Sequence, residues 1–379
     1  MAALPASLVV ELADDIYGVY KSDDVRIFLA RKEFSQEIAG SRILKAEVGT
    51  RLINTRDAFG VCARGSGQYA NDLFLMFRGT TGSNYGADIF TDLRTGLNVG
   101  VTGTLVHSGF NHAFNSMRSE LAHFISLQQG VRTVHCIGHS LGGAVANLAA
   151  EWISHSYPVE VKLYTFGSPR VGWGSGGGFA NRLTKQLLPE NIYRVYHGTD
   201  PVCMAPLFPF THAPTSGHSY YLPFGGVVIS PRAHFMESYI TSIGGREWPA
   251  LYRPAPTFSL NIKAWLKNDS DENANSATFW EKLNWAAAFV VQAVLSVTAL
   301  PLVCGLTVAD YLAMVLAKGI TLAGEVSSWV FLLLRKMMRM LGMKVIETVE
   351  DLTELLIKQV LARVVRKIHR EVQRALGHL

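Results

Sequence analysis

Between Val134 and Asn147 the chain reads as a buried strand, a tight turn and a closely packing helix, and this constrains its fold more than any other segment. Val134-His135-Cys136-Ile137 is apolar enough to lie inside a sheet, and Gly138-His139-Ser140-Leu141-Gly142 follows. Gly143-Ala144-Val145-Ala146-Asn147 then begins a helix whose small side chains permit close packing on that sheet. Glycines on both flanks let the backbone turn without steric clash. Such a turn presents the serine hydroxyl at the end of a strand. It is the only G-x-S-x-G in the chain.

The alternation continues on both sides. Val161 to Phe166 is a strand, Ala180 to Leu188 a helix, and Ile192 to Tyr196 another strand. Repeated strand–helix–strand units imply crossovers and a largely parallel sheet, the α/β class. Upstream, Ser7 is expected to cap a helix reaching Tyr20, with Leu8, Val9, Leu12 and Ile16 on one face. Val25 to Leu29, Ala58 to Ala63 and Leu73 to Phe77 read as short strands.

A serine hydroxyl is a weak nucleophile and needs a base, which in turn needs an orienting acid. On a strand–turn–helix nucleophile the chain order is serine, acid, histidine. Asp200 fits the acid, because it follows the strand Ile192 to Tyr196 at the carboxyl edge of the sheet. His234, His218 and His212 are the candidates for the base. His234 leads, since it follows the strand-like Gly226 to Ile229 and opens a helix through Tyr239. His107, His112, His135 and His197 are excluded by chain order or by lying on strands. A developing oxyanion needs two N–H donors. Leu141, after the serine, supplies one, and Thr80, in the loop after the strand Leu73 to Phe77, supplies the other.

These segments together resemble the class 3 (fungal-type) lipases. GHSLGGA at Gly138 to Ala144 resembles their nucleophile turn, and Phe77-Arg78-Gly79-Thr80 their oxyanion loop. Thr91-Asp92-Leu93, His107-Ser108-Gly109-Phe110, Tyr164 to Gly172 and Asp200-Pro201-Val202 resemble further family segments in the same order, and His234 to Tyr239 resembles their last. The resemblance covers about Ser7 to Ile243. It implies an α/β-hydrolase fold and a Ser-His-Asp hydrolase of acylglycerol or phospholipid esters, with no metal or cofactor. The chain departs from the family at Cys203-Met204-Ala205-Pro206 and in the glycine-rich Gly172 to Gly178. It departs again at Ser83 to Phe90, where family members carry a lid and this chain has few large apolar residues.

The last third is different. Leu283 to Ala309 carries no charge, and Tyr311 to Leu334 is apolar apart from Lys318 and Glu325. Apolar stretches of about 20 residues suit a membrane hairpin, with Arg335, Lys336 and Arg339 as basic anchors beside it. The alternative is a helical cap on the first domain. Val345 to Leu376 is amphipathic with a basic end at Arg363, Arg366, Lys367, Arg370 and Arg374. The chain's formal net charge of +5 lies wholly from Arg335 onward. This pattern favours an anionic membrane surface as partner and gives no nucleic-acid motif. The expected division is a hydrolase domain over 1–250, a linker over 251–278 and a helical, membrane-inserting region over 279–379. The four cysteines are scattered without a CxxC pair, as buried free thiols are. No secretory signal is expected at the N-terminus. The expected location is therefore the cytoplasmic face of a membrane, or outside the cell by a specialised route. A second reading makes the helical region itself a membrane-perturbing agent.

Overall fold

The structure, a computed structural model, describes residues 3–19, 22–35, 42–50, 53–79, 96–174, 176–253, 261–268, 273–298, 300 and 307–377. A seven-stranded sheet runs through it, and the spatial order of the strands is their chain order. β1 (Arg42–Thr50), β2 (Ile53–Arg64) and β3 (Asp72–Phe77) form an antiparallel meander. β4 (Thr133–His139), β5 (Glu160–Phe166), β6 (Ile192–His197) and β7 (Tyr220–Leu222) continue parallel to β3. Helices Ser108–Ser126, Leu141–Ser156 and Phe179–Leu187 connect the parallel strands β3 to β6. This is the mostly parallel α/β-hydrolase sheet expected from the sequence.

Both faces of the sheet are covered, which is why its central strands read as unbroken apolar runs. In β3, Leu73, Leu75 and Phe77 join one apolar layer while Phe74 and Met76 join the other. In β5, Val161 and Leu163 face the first layer and Tyr164 and Phe166 the second. The second layer is closed by helices Ala6–Asp15, Ser22–Leu29, Met236–Ile243 and Trp248–Leu251. The first layer holds the crossover helices, and it continues without a break into the C-terminal helices Ala277–Thr298, Val308–Ile320, Glu325–Met340 and Glu354–Leu376.

Several expectations change. Val25 to Leu29 is helical, inside Ser22–Leu29. Asp23 and Asp24 favour a helix N-terminus, and Val25 and Phe28 are buried three residues apart while Ile27 is exposed. Ser7 lies inside the first helix, whose cap position is Pro5. Gly226 to Ile229 is a turn with one bridge, Val228 to Ser276, because Gly225 and Gly226 take left-handed φ of 62° and 85°. The expected linker contains the helix Ile262–Lys267, capped by Asn261, with Trp265 and Leu266 buried.

The second apolar stretch is two helices, broken at Gly324, where φ is 83°. Thr307 and Thr353 start their helices by accepting N–H groups three residues on, from Asp310 at 3.0 Å and Leu356 at 3.2 Å. Among the described residues no helix is long and apolar enough to cross a membrane. Lys336, expected as a basic anchor, is buried. Its ammonium donates to the carbonyls of Trp265 at 3.1 Å and Asn268 at 2.7 Å, closing the end of Ile262–Lys267. Cys62, Cys136 and Cys203 are buried free thiols, whereas Cys304 lies outside the described residues.

Candidate active site

Ser140 occupies the turn between β4 and the helix Leu141–Ser156 with φ 56° and ψ −127°. A non-glycine residue in such a region costs roughly 1–3 kcal/mol and persists only where its surroundings dictate it. Here they do. The Ser140 N–H donates to the Phe166 carbonyl at 3.0 Å, and its own carbonyl accepts from Gly143 at 3.0 Å and Ala144 at 3.2 Å. The flanking glycines answer to close approach. A Cβ on Gly142 would lie 2.7 Å from the carbonyl carbon of Phe77, and one on Gly138 2.7 Å from the Gly143 nitrogen. Gly79 has the same constraint, with Ser140 Cβ 3.0 Å from where its own Cβ would stand.

Three of the expected residues meet at this turn. His234 Nε2 lies 2.9 Å from Ser140 Oγ, and His234 Nδ1 lies 2.9 Å from Asp200 Oδ2. All three side chains are fully buried. The carboxylate fixes the tautomer, since only an Nδ1–H can donate to it and Nε2 is then left as an acceptor facing the hydroxyl. His212 and His218 stand elsewhere. His212 donates from Nε2 to the Cys203 carbonyl at 2.8 Å, and His218 packs on Tyr252. Leu141 opens its helix, so its N–H has no acceptor within that helix. Thr80, and with it Thr91-Asp92-Leu93 and the Ser83 to Phe90 segment, lies outside the described residues.

Sequence reasoning missed the groups that hold this trio. Asp200 is bonded beyond His234: Tyr239 donates its hydroxyl to Oδ2 at 2.7 Å, and the Val202 N–H donates to Oδ1 at 2.8 Å. Burial would raise the Asp200 pKa, but the His234 ring and these donors outweigh it and hold the carboxyl below its ordinary value. The backbone before and at His234 is pinned by two further imidazoles. His197 donates from Nδ1 to the Ala233 carbonyl at 2.6 Å, and His139 donates from Nε2 to the His234 carbonyl at 2.8 Å. Their other nitrogens therefore accept, from the Ser242 hydroxyl at 2.9 Å and the Tyr17 hydroxyl at 2.6 Å. Burial lowers the pKa of both rings, so both stay neutral in these roles.

Gly167 is constrained by the site side chains themselves. At φ 55°, it would place a Cβ 2.8 Å from Asp200 Oδ2 and 3.0 Å from His234 Nδ1. Tyr17 and His197 reach the site from distant parts of the chain, and no local spacing announces them. Beside Asp200 the Cys203 thiol lies 3.6 Å from Oδ2, its pKa raised by burial and then by the carboxylate.

Comparison with known proteins places this region. Residues 74–210 match the family Lipase (class 3). The chain is 39% identical over 129 residues to secreted mono- and diacylglycerol lipase 1 of Fusarium solani, covering 33% of this chain and 36% of that one. It is 42% identical over 71 residues to toxin TseL of Vibrio cholerae, covering 18% of this chain and 11% of the toxin. Among solved structures, lipase II of Rhizopus niveus aligns at 23% identity with a TM-score of 0.40, over 57% of this chain and 80% of its own. The chain thus spans about a third of the length of the Fusarium relative. Over residues 74–210 the chain is similar to the class 3 lipase family.

Proposed function

We propose that the chain hydrolyses carboxylic esters of acylglycerols or phospholipids, with Ser140 as nucleophile, His234 as base and Asp200 as the acid that orients it. The observation that carries this reading is the hydrogen-bonded chain from Asp200 through His234 to Ser140 at a strained strand–helix turn. As Oγ attacks the ester carbonyl carbon, Nε2 takes the hydroxyl proton and Asp200 stabilises the imidazolium. The same proton then passes to the departing alkoxide, leaving an acyl-enzyme, and water repeats the sequence to release the acid. The Leu141 N–H, at the positive end of its helix, serves the oxyanion. Thr80 is assigned as the second donor from its place after Phe77-Arg78-Gly79.

Membrane association belongs to this reading, because bilayer lipids must be reached before they are cleaved. The basic C-terminal helix supports it, with about 1 kcal/mol of attraction per Lys or Arg near an anionic surface. The fitting locations are the cytoplasmic face of a membrane, or outside the cell by a non-classical route. Ser140→Ala should lower hydrolysis of a short-chain soluble ester on the order of 10⁴-fold or more. It should also abolish labelling by a fluorophosphonate probe, and equal labelling of the variant would overturn the assignment.

The match to a toxin favours one alternative, a membrane-perturbing protein whose helical region is the active element. Under that reading Ser140→Ala would disrupt vesicles as well as the wild type does.

A further inference from the structure

Ser140, Asp200 and His234 are closed off from solvent, and the last helix, Glu354–Leu376, packs across the two loops that bring acid and imidazole together. It lies against Pro231–His234, which ends at the imidazole, and against Val202–Met204, whose first N–H holds the Asp200 carboxylate. Its inward face is apolar, with Ile357, Val360, Leu361, Val364, Ile368 and Val372 buried. His369, also inward, stands near enough to His107, the residue that starts Ser108–Ser126, for their charges to interact. The helix therefore reaches from the histidine loop to the start of Ser108–Ser126.

The outward face is basic. Arg363, Arg366 and Arg370 fall on one stripe and are exposed. Among the described residues no carboxylate pairs with them. The helix's own acids are engaged elsewhere, Glu354 with Lys358 at 3.1 Å and Glu371 with Arg374 at 2.9 Å. A helix built this way has two environments that bury its apolar face. One is the protein layer it now occupies, and the other is the acyl boundary of an anionic bilayer, where its arginines meet head groups. An acidic protein or nucleic acid would satisfy the arginines but would leave the apolar face without cover.

Resting on the hydrolase reading above, we propose that Glu354–Leu376 is a gate. It holds the site shut in solution, and an anionic lipid surface draws it away by its arginine stripe. The gate lies outside the region matched to the lipase family, so it is a device of this chain's added helices.

The test uses the full chain with vesicles of ether-linked phosphatidylglycerol, which present the charge but no ester to cleave, and ether-linked phosphatidylcholine as the neutral control. Phosphatidylglycerol alone should speed amide hydrogen exchange over 202–204 and 231–235. Fluorophosphonate labelling of Ser140 should rise about tenfold or more, because labelling follows the open fraction. The triple variant Arg363→Glu/Arg366→Glu/Arg370→Glu should lose both responses, and the milder Arg→Gln triple serves if the first is unstable. Unchanged exchange at 231–235 on phosphatidylglycerol would overturn the gate, as would variants that respond like the wild type. If exchange rises while Ser140 is never labelled, the gate stands and the hydrolase reading is the one that falls.

Discussion

The surroundings of Ser140 and the C-terminal helices share one apolar layer, yet their sequences specify them by different means. Around Ser140 the constraint is close approach. Gly79, Gly138, Gly142 and Gly167 stand where a single added carbon would meet backbone or a site side chain, and each hydrogen bond of the trio has one geometry that works. In the C-terminal third the constraint is periodic. Threonine caps start two of the helices and an apolar face is repeated, but the identity of each apolar residue matters little to the pattern. The first kind of constraint leaves short motifs. The second leaves amphipathicity, which suits a bilayer and a protein layer equally well. Lys336 shows the cost of that ambiguity: beside an apolar run it reads as a membrane anchor, whereas it is a buried cap on a neighbouring helix.

Three experiments press on this contrast. The largest effect is expected from ending the chain at Ser276. If the two parts share one layer, the shortened protein exposes Met204, Phe208 and their neighbours and should lose its cooperative thermal transition. A cooperative melt with intact hydrolysis of a soluble ester would show that the regions separate after all, at the boundary the sequence suggests.

A smaller but sharper effect is expected from Gly167→Ala. The left-handed φ and the crowding on Asp200 and His234 should lower kcat on the order of 10²-fold through misplacement of the imidazole. The melting temperature should fall by only a few degrees. An unchanged kcat would mean that close approach at this position is incidental.

The smallest effect concerns pH. Burial, and then the neighbouring His369, lower the His107 pKa to about 3. The folded state thus resists a proton that the unfolded chain takes up near 6.5. The stability this contributes is complete above about pH 6.5 and is lost as pH falls toward 3. His107→Asn keeps a side-chain acceptor for the Gly109 and Phe110 N–H groups while removing the titration. Between pH 6.5 and 4 its stability should fall less steeply than the wild type's, by up to about 3 kcal/mol at the acid end. Identical slopes in thermal melts across that range would refute the assignment.

What the sequence made legible follows the same divide. The strand before Ser140, the turn, the order of Asp200 and His234, and the parallel sheet were all readable, because each rests on local residue types. Val25 to Leu29 misled because β-branched residues suggest a strand, while Ser22-Asp23-Asp24 ahead of them marks a helix start. Tyr17, His139, His197 and Tyr239 could not be assigned. Their partners lie between 36 and 122 residues away in the chain, and only the folded sheet brings them together.

The burial of Cys203 has an analytical consequence. Its thiol sits on the segment covered by two C-terminal helices, whereas Cys62 and Cys136 sit within β2 and β4. A maleimide applied to the native protein therefore meets two different obstacles, one the pair of helices Ala277–Thr298 and Glu354–Leu376 and the other the whole sheet. If those helices can lift by themselves, peptide mapping will find Cys203 alkylated well before the two sheet thiols. If the structure opens only as a unit, the three will be alkylated in step.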